Sequence, residues 1–124
     1  MGIVLTILQG LVGLAFVASG AMKASQGKEK LAAMGDNMAW TEDFTGTQIQ
    51  LIGVAEVLGG LALLITLFVT SSAAYLIGGI AGICLAILMG GAAYTHIRRS
   101  EMSSIAPNIV LGLLALVASY NLLV

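Results

Sequence analysis

The chain has 124 residues, 59% of them apolar and only 9% charged, with a formal net charge of −1. Soluble domains are about 45–50% apolar and about 25% charged, and a compact body of this length cannot hide so much apolar surface. That excludes a soluble enzyme and a disordered chain. The single Cys84 excludes a disulfide scaffold, and the charge gives no basic footprint for nucleic acid. An integral membrane protein is the class that remains.

A helix crossing the hydrocarbon needs about 20 apolar residues, and four stretches supply them. The first covers about residues 2–22 and carries no charge. The second covers about 47–70 and contains one acid, Glu56. The third covers about 73–97, with His96 near its end, and the fourth about 105–124. The apolar runs are continuous rather than alternating, which argues for helices over a β-barrel. Short links leave little chain over, so residues 1–124 are expected to form one all-α domain, a four-helix transmembrane bundle of up-and-down antiparallel helices. The first span lacks the positive charge that precedes a signal-peptide core, so a retained helix is expected there.

The link from Lys23 to Thr45 holds most of the charges, and residues 27–34 within it are expected to form a short interfacial helix with Leu31 and Met34 turned down. Trp40 and Phe44 have the character of interface anchors. The second link is only Thr70-Ser71-Ser72, and the third begins with Arg98 and Arg99. All five basic residues fall in the first and third links. The positive-inside rule then places those links in the cytoplasm and both termini outside. Arg98 and Arg99 are expected to fix this topology and to contact lipid headgroups.

Sixteen glycines in so short a chain suggest close helix contacts. In the third span Ala74, Gly78, Gly82, Ala86 and Gly90 recur every four residues. This small-residue ridge suits packing within the bundle, or a homo-oligomer contact. At 100° per residue each span has one inward stripe: Thr6, Gln9, Gly13, Phe16, Gly20 and Lys23; Ile52, Glu56, Gly59, Leu63, Thr66 and Thr70; Gly78, Leu85, Met89, Ala92 and His96; Asn108, Gly112, Ala115, Ser119 and Leu122.

Glu56 is the most informative residue. An acid at the centre of a span costs about 2.5–3.5 kcal/mol on insertion scales, so it faces the interior and finds a partner. Lys23, His96 and Asn108 fall at the same end of the bundle, with Ser19 one turn below Lys23. Two readings follow. In one, Glu56 is the floor of a half-membrane pocket for a polar head on an apolar body, a quinone or a lipid. In the other, it bonds Lys23, Ser19 or backbone and merely fixes register. No metal-ligand spacing, CxxC, phosphate loop or nucleophile elbow occurs, so neither a metal site nor a self-contained catalytic motif is expected.

Three segments stand in a familiar order: Ser19-Gly20-Ala21-Met22-Lys23, then Ile52-Gly53-Val54-Ala55-Glu56-Val57-Leu58-Gly59-Gly60-Leu61, then Ala92-Ala93-Tyr94-Thr95-His96. The chain resembles the DoxX-like family of small four-helix membrane proteins. One departure is visible, since the family's second span commonly ends in a proline and here Ile65-Thr66-Leu67 runs on. The resemblance implies a bacterial inner membrane and marks Lys23, Glu56 and His96 as the family's polar positions. It also implies possible work beside a redox partner protein, because some relatives are membrane subunits of quinone-coupled sulfur oxidation. Others are tied to redox stress, and a distant animal branch assists receptor assembly. A quinone- or lipid-binding subunit is therefore the leading expectation. A non-catalytic assembly factor comes second. A small proton-coupled exporter comes last, because small multidrug transporters carry their essential acid in the first helix and this first helix has none.

Overall fold

The structure, a computed structural model, describes residues 2–124, and all side chains among them except those of 36 and 37. In chain order it contains α1 (Ile3–Ser25), α2 (Lys28–Ala32), a 3-10 segment (Asp36–Asp43), α3 (Gly46–Ile65), α4 (Ser72–Arg98), a 3-10 turn (Met102–Ser104) and α5 (Ile105–Leu123). The helices α1, α3, α4 and α5 are long and apolar enough to cross a membrane. Each packs on its neighbour in sequence, most extensively α1 on α3 and α4 on α5, and α1 meets α5 to close a four-helix bundle.

The ends of the helices are set by local chemistry. Thr45 and Gln48 form a capping box at the start of α3, and the Ser71 hydroxyl accepts from the Ala74 amide at the start of α4. Both satisfy amides that a first turn leaves without intrahelical partners. Helix α1 runs on to Ser25, three residues past the expected end, so Lys23 lies in its last turn. Helix α3 stops at Ile65, short of the expected Thr70, although no proline is present. Here the Thr66 hydroxyl and the Gln9 amide both donate to the Leu63 carbonyl, and the next amides bond back only three residues, Leu67 to Leu64 and Phe68 to Ile65. The interfacial helix of the first link is shorter than expected, five residues rather than 27–34. It ends ahead of Gly35, whose φ of 140° admits few other residues. Leu31 is fully buried and Met34 is exposed.

Val12, Phe16, Leu63, Leu85, Met89, Ala115, Ala118 and Leu122 form the core. The closest helix approach is between α1 and α3. A Cβ added to Gly20 would lie 2.4 Å from the Gly53 carbonyl, and one added to Gly53 would lie 2.6 Å from the Gly20 carbonyl. Gly13 and Gly60 repeat the arrangement seven residues away on both helices, at 3.1 Å and 2.7 Å. The ridge on α4 packs only in part. Gly78 and Gly82 are covered by α3 and α5, whereas Gly90 has nothing within 4 Å. A strict four-residue repeat drifts about 40° per step around a helix of 3.6 residues per turn, so Gly90 has left the face on which the ridge began.

Candidate functional site

The site begins with the glycine contact. With α1 and α3 nearly touching at Gly20 and Gly53, the side chain of Lys23 crosses directly onto α3. Its Nζ lies 2.6 Å from Glu56 Oε1, and the two side chains are 13% and 1% exposed. Lys23 therefore turns inward, not toward headgroups. Glu56 Oε2 is buried and, among the described residues, has no hydrogen-bond partner. The ammonium also sits 5.5 Å from the centre of the Trp40 ring, within cation–π range. Trp40 in turn meets Phe44 edge-on at 5.7 Å.

The second wall is built by the end of α4. Arg99 caps the helix and Ser100 takes a left-handed φ of 59°. The Ser100 amide then bonds to the Ile97 carbonyl, and the Glu101 amide to that of His96. This is a Schellman motif, and it folds Glu101 back beside the residue that ends the helix core. Glu101 Oε1 comes to 2.9 Å from His96 Nδ1, and Arg99 Nε donates to Glu101 Oε2 at 3.1 Å. Arg99 also donates to Asp43 and Glu42, and Arg98 to Asp43, tying this corner to the first link. Arg99, expected to contact lipid headgroups, thus spends its guanidinium on three carboxylates of the protein, while Arg98 is 58% exposed.

These carboxylates are stabilised as anions. Burial pushes Glu101 up, but hydrogen bonds from His96 and Arg99 outweigh it and hold Glu101 below its ordinary value. Asp43 follows the same pattern, with burial opposed by hydrogen bonds from Arg99 and Arg98. A carboxylate beside imidazole Nδ1 can only accept, so His96 gives it the Nδ1 proton.

Between these walls lies a cavity of about 480 Å³, within the range that holds small ligands. Ser19, Lys23, Glu56, His96 and Asn108 all line it. The sequence placed these five at one end of the bundle, and the fold brings them to one space. Asn108 holds its own helix start by donating to the Ser104 carbonyl. Met38, Trp40 and Phe44 of the first link also line the cavity, so the two aromatic residues read as interface anchors face it as well. Their part was hidden in the sequence. The one available signal was parity: the first and third links share an end of an up-and-down bundle, so Glu42 and Asp43 could meet Arg98 and Arg99. The remaining lining is apolar and includes Ile87 and Gly91, both exposed on α4. A shallower apolar groove on α3 and α4 shares Ile87 and Leu88 with the cavity and contains Cys84.

Gln9 lies far from this site, at the other end of α1. Its amide donates to Leu63 O and to the Thr66 hydroxyl, joining α1 to the last turn of α3. The cavity is thus lined by a buried ion pair, an oriented imidazole and an aromatic wall, with apolar surroundings for a tail. Among known proteins, the family model of the DoxX-like family matches residues 7–118, which include every residue of the cavity. No curated protein and no solved structure matches the chain.

Proposed function

The chain belongs to the DoxX-like family, and on that premise we propose that it is a multi-pass protein of a bacterial inner membrane that binds a quinone-like or lipid-like amphiphile and serves a redox partner protein. The observation that carries this reading is the largely apolar cavity that Lys23, Glu56 and His96 line together, with Glu56 Oε2 buried and, among the described residues, without a hydrogen-bond partner. A carboxylate serving only to fix helix register does best with both oxygens satisfied, because an unmet buried charge is costly. An amphiphile fits the surroundings: its head meets Glu56, Lys23 and His96, and its tail leaves past Ile87 and Leu88 into the apolar groove. In this orientation both charged links face the cytoplasm, and the head lies in the cytoplasmic half of the membrane.

Trp40 is the only tryptophan and lines the cavity, so its fluorescence reports occupancy. Titrating the purified protein with decylubiquinone is expected to quench Trp40 saturably, whereas tryptophan octyl ester in the same micelles quenches without saturation. Glu56→Gln is expected to keep the fold and lose saturable quenching. A wild-type protein that purifies empty and quenches no differently from the ester would leave the assembly-factor reading in its place.

A further inference from the structure

The cavity is closed toward one end of the bundle and open toward its side. Resting on the amphiphile reading above, we propose that the ligand is drawn from the bilayer rather than from water. It enters sideways through a portal between α3 and α4 that the missing side chain of Gly91 keeps open.

The end of the cavity is covered by the first link. Met38, Trp40 and Phe44 line it from that side, and Thr41 between them is fully buried, its hydroxyl donating to the Met38 carbonyl. The cover is pinned to both sides. Trp40 lies against the Lys23 ammonium on α1, and Asp43 accepts from Arg98 and Arg99 at the end of α4.

The side is different. Helices α3 and α4 touch at Gly59, where an added Cβ would lie 2.7 Å from the Leu85 side chain. From there toward the charged end the cavity is lined by Ile52 on α3 and by Ile87 and Gly91 on α4, and the last two are also exposed on the outer surface. A residue that both lines a cavity and faces outward stands at its mouth. A Cβ added to Gly91 would meet nothing within 4 Å, so no close helix contact requires a glycine there. Gly91 precedes Arg98 by seven residues, about 10 Å along the axis, and lies one turn deeper than the exposed Tyr94, an aromatic of interfacial character. The mouth therefore opens at the depth of acyl chains, continuous through Ile87 and Leu88 with the apolar groove. Gly90 is the natural comparison: it too is exposed and meets nothing within 4 Å, but it does not line the cavity.

Saturable quenching of Trp40 by decylubiquinone, with the protein reconstituted in phosphatidylcholine vesicles, tests the portal. Gly91→Phe is expected to weaken apparent affinity at least tenfold and Gly91→Leu at least threefold, because a side chain then fills the space through which the tail passes. Gly90→Phe is expected to stay within twofold of wild type. Circular dichroism melts of each variant report the fold. Gly91→Phe and Gly91→Leu binding like wild type would overturn the portal and leave the amphiphile site standing. Equal losses at positions 90 and 91 would overturn it as well, since only one of them borders the cavity. Loss of the fold in both Gly91 variants would contradict the open space that a portal requires. Wild-type protein that never saturates overturns the portal and the amphiphile reading together.

Discussion

Lys23 and Glu56 stand 33 residues apart in sequence, yet Nζ and Oε1 are 2.6 Å apart inside the bundle. The two partners are not equivalent. Lys23 ends a helix and its side chain is 13% exposed, while Glu56 is 1% exposed on the middle of another. A lysine deprived of its partner can extend its long stem to water; a glutamate at that depth cannot.

Lys23→Met is therefore expected to cost more than Glu56→Gln. Removing one partner of a buried pair costs about 3–5 kcal/mol because the other charge is stranded. Adding Glu56→Gln to Lys23→Met should recover most of the loss. Unfolding in graded dodecyl sulfate, followed by circular dichroism, measures all three variants. Equal losses for the two single changes would contradict the asymmetry.

Glycine substitutions should separate contact from mere composition. Gly20→Ala forces a methyl against the Gly53 carbonyl, two backbones with nowhere to move but apart. Overpacking of this kind costs about 1–3 kcal/mol. Gly90→Ala meets open space and should be neutral or stabilising by up to about 1 kcal/mol, as helix interiors favour alanine. Thermal melts of the two variants in one detergent make the comparison.

The corner that joins the first and third links has a defined pH window. Asp43 and Glu101 sit below ordinary values of 3.8 and 4.5, burial being outweighed by the arginine and histidine hydrogen bonds. Their contribution is fully present above those ordinary values and is lost as pH falls through the lower folded ones. Trp40 emission, from the segment that Asp43 anchors, should stay flat from about pH 5 to 8 and change only in more acidic solution. Asp43→Asn should shift that emission even at neutral pH.

Ser100 carries the one left-handed non-glycine backbone among the described residues. That conformation costs about 1–2 kcal/mol for a residue with a Cβ, so Ser100→Gly should raise the melting temperature. Ser100→Val should lower it. By releasing Glu101 from His96 it should also weaken binding of the amphiphile, while Gly retains it.

Cys84 is exposed on α4 within the apolar groove. Where that face lies against acyl chains, a charged maleimide added to intact membranes should leave the thiol unlabelled, since a charged reagent does not enter hydrocarbon. The same reagent should label it fully after denaturation. Rapid labelling in intact membranes would place the groove against water instead.

Most of the architecture was legible before any coordinates. Hydropathy marks four spans because a bilayer demands length and forbids exposed backbone, whatever else the chain does. One acid in a span has to point inward, so the stripe through Glu56 and the shared end with Lys23, Ser19, His96 and Asn108 were readable too. What failed was local. The end of α3 at Ile65 depends on Gln9, a residue 54 positions from the Leu63 carbonyl it occupies. Gly13 and Gly20 were legible as inward-facing, but their match to Gly60 and Gly53 is visible only when two helices face one another.

Composition and the solvent-like bilayer thus determined how many helices there are and which face of each turns in, because both follow from transferring side chains out of hydrocarbon one at a time. Tertiary structure alone decided that Lys23 takes one carboxylate oxygen of Glu56 and that the other is buried without a hydrogen-bond partner among the described residues. It also decided that Ser100 swings Glu101 onto His96 and that Trp40 roofs the space between. Each of these depends on distances between segments remote in the chain, and no property of a single residue encodes such a distance.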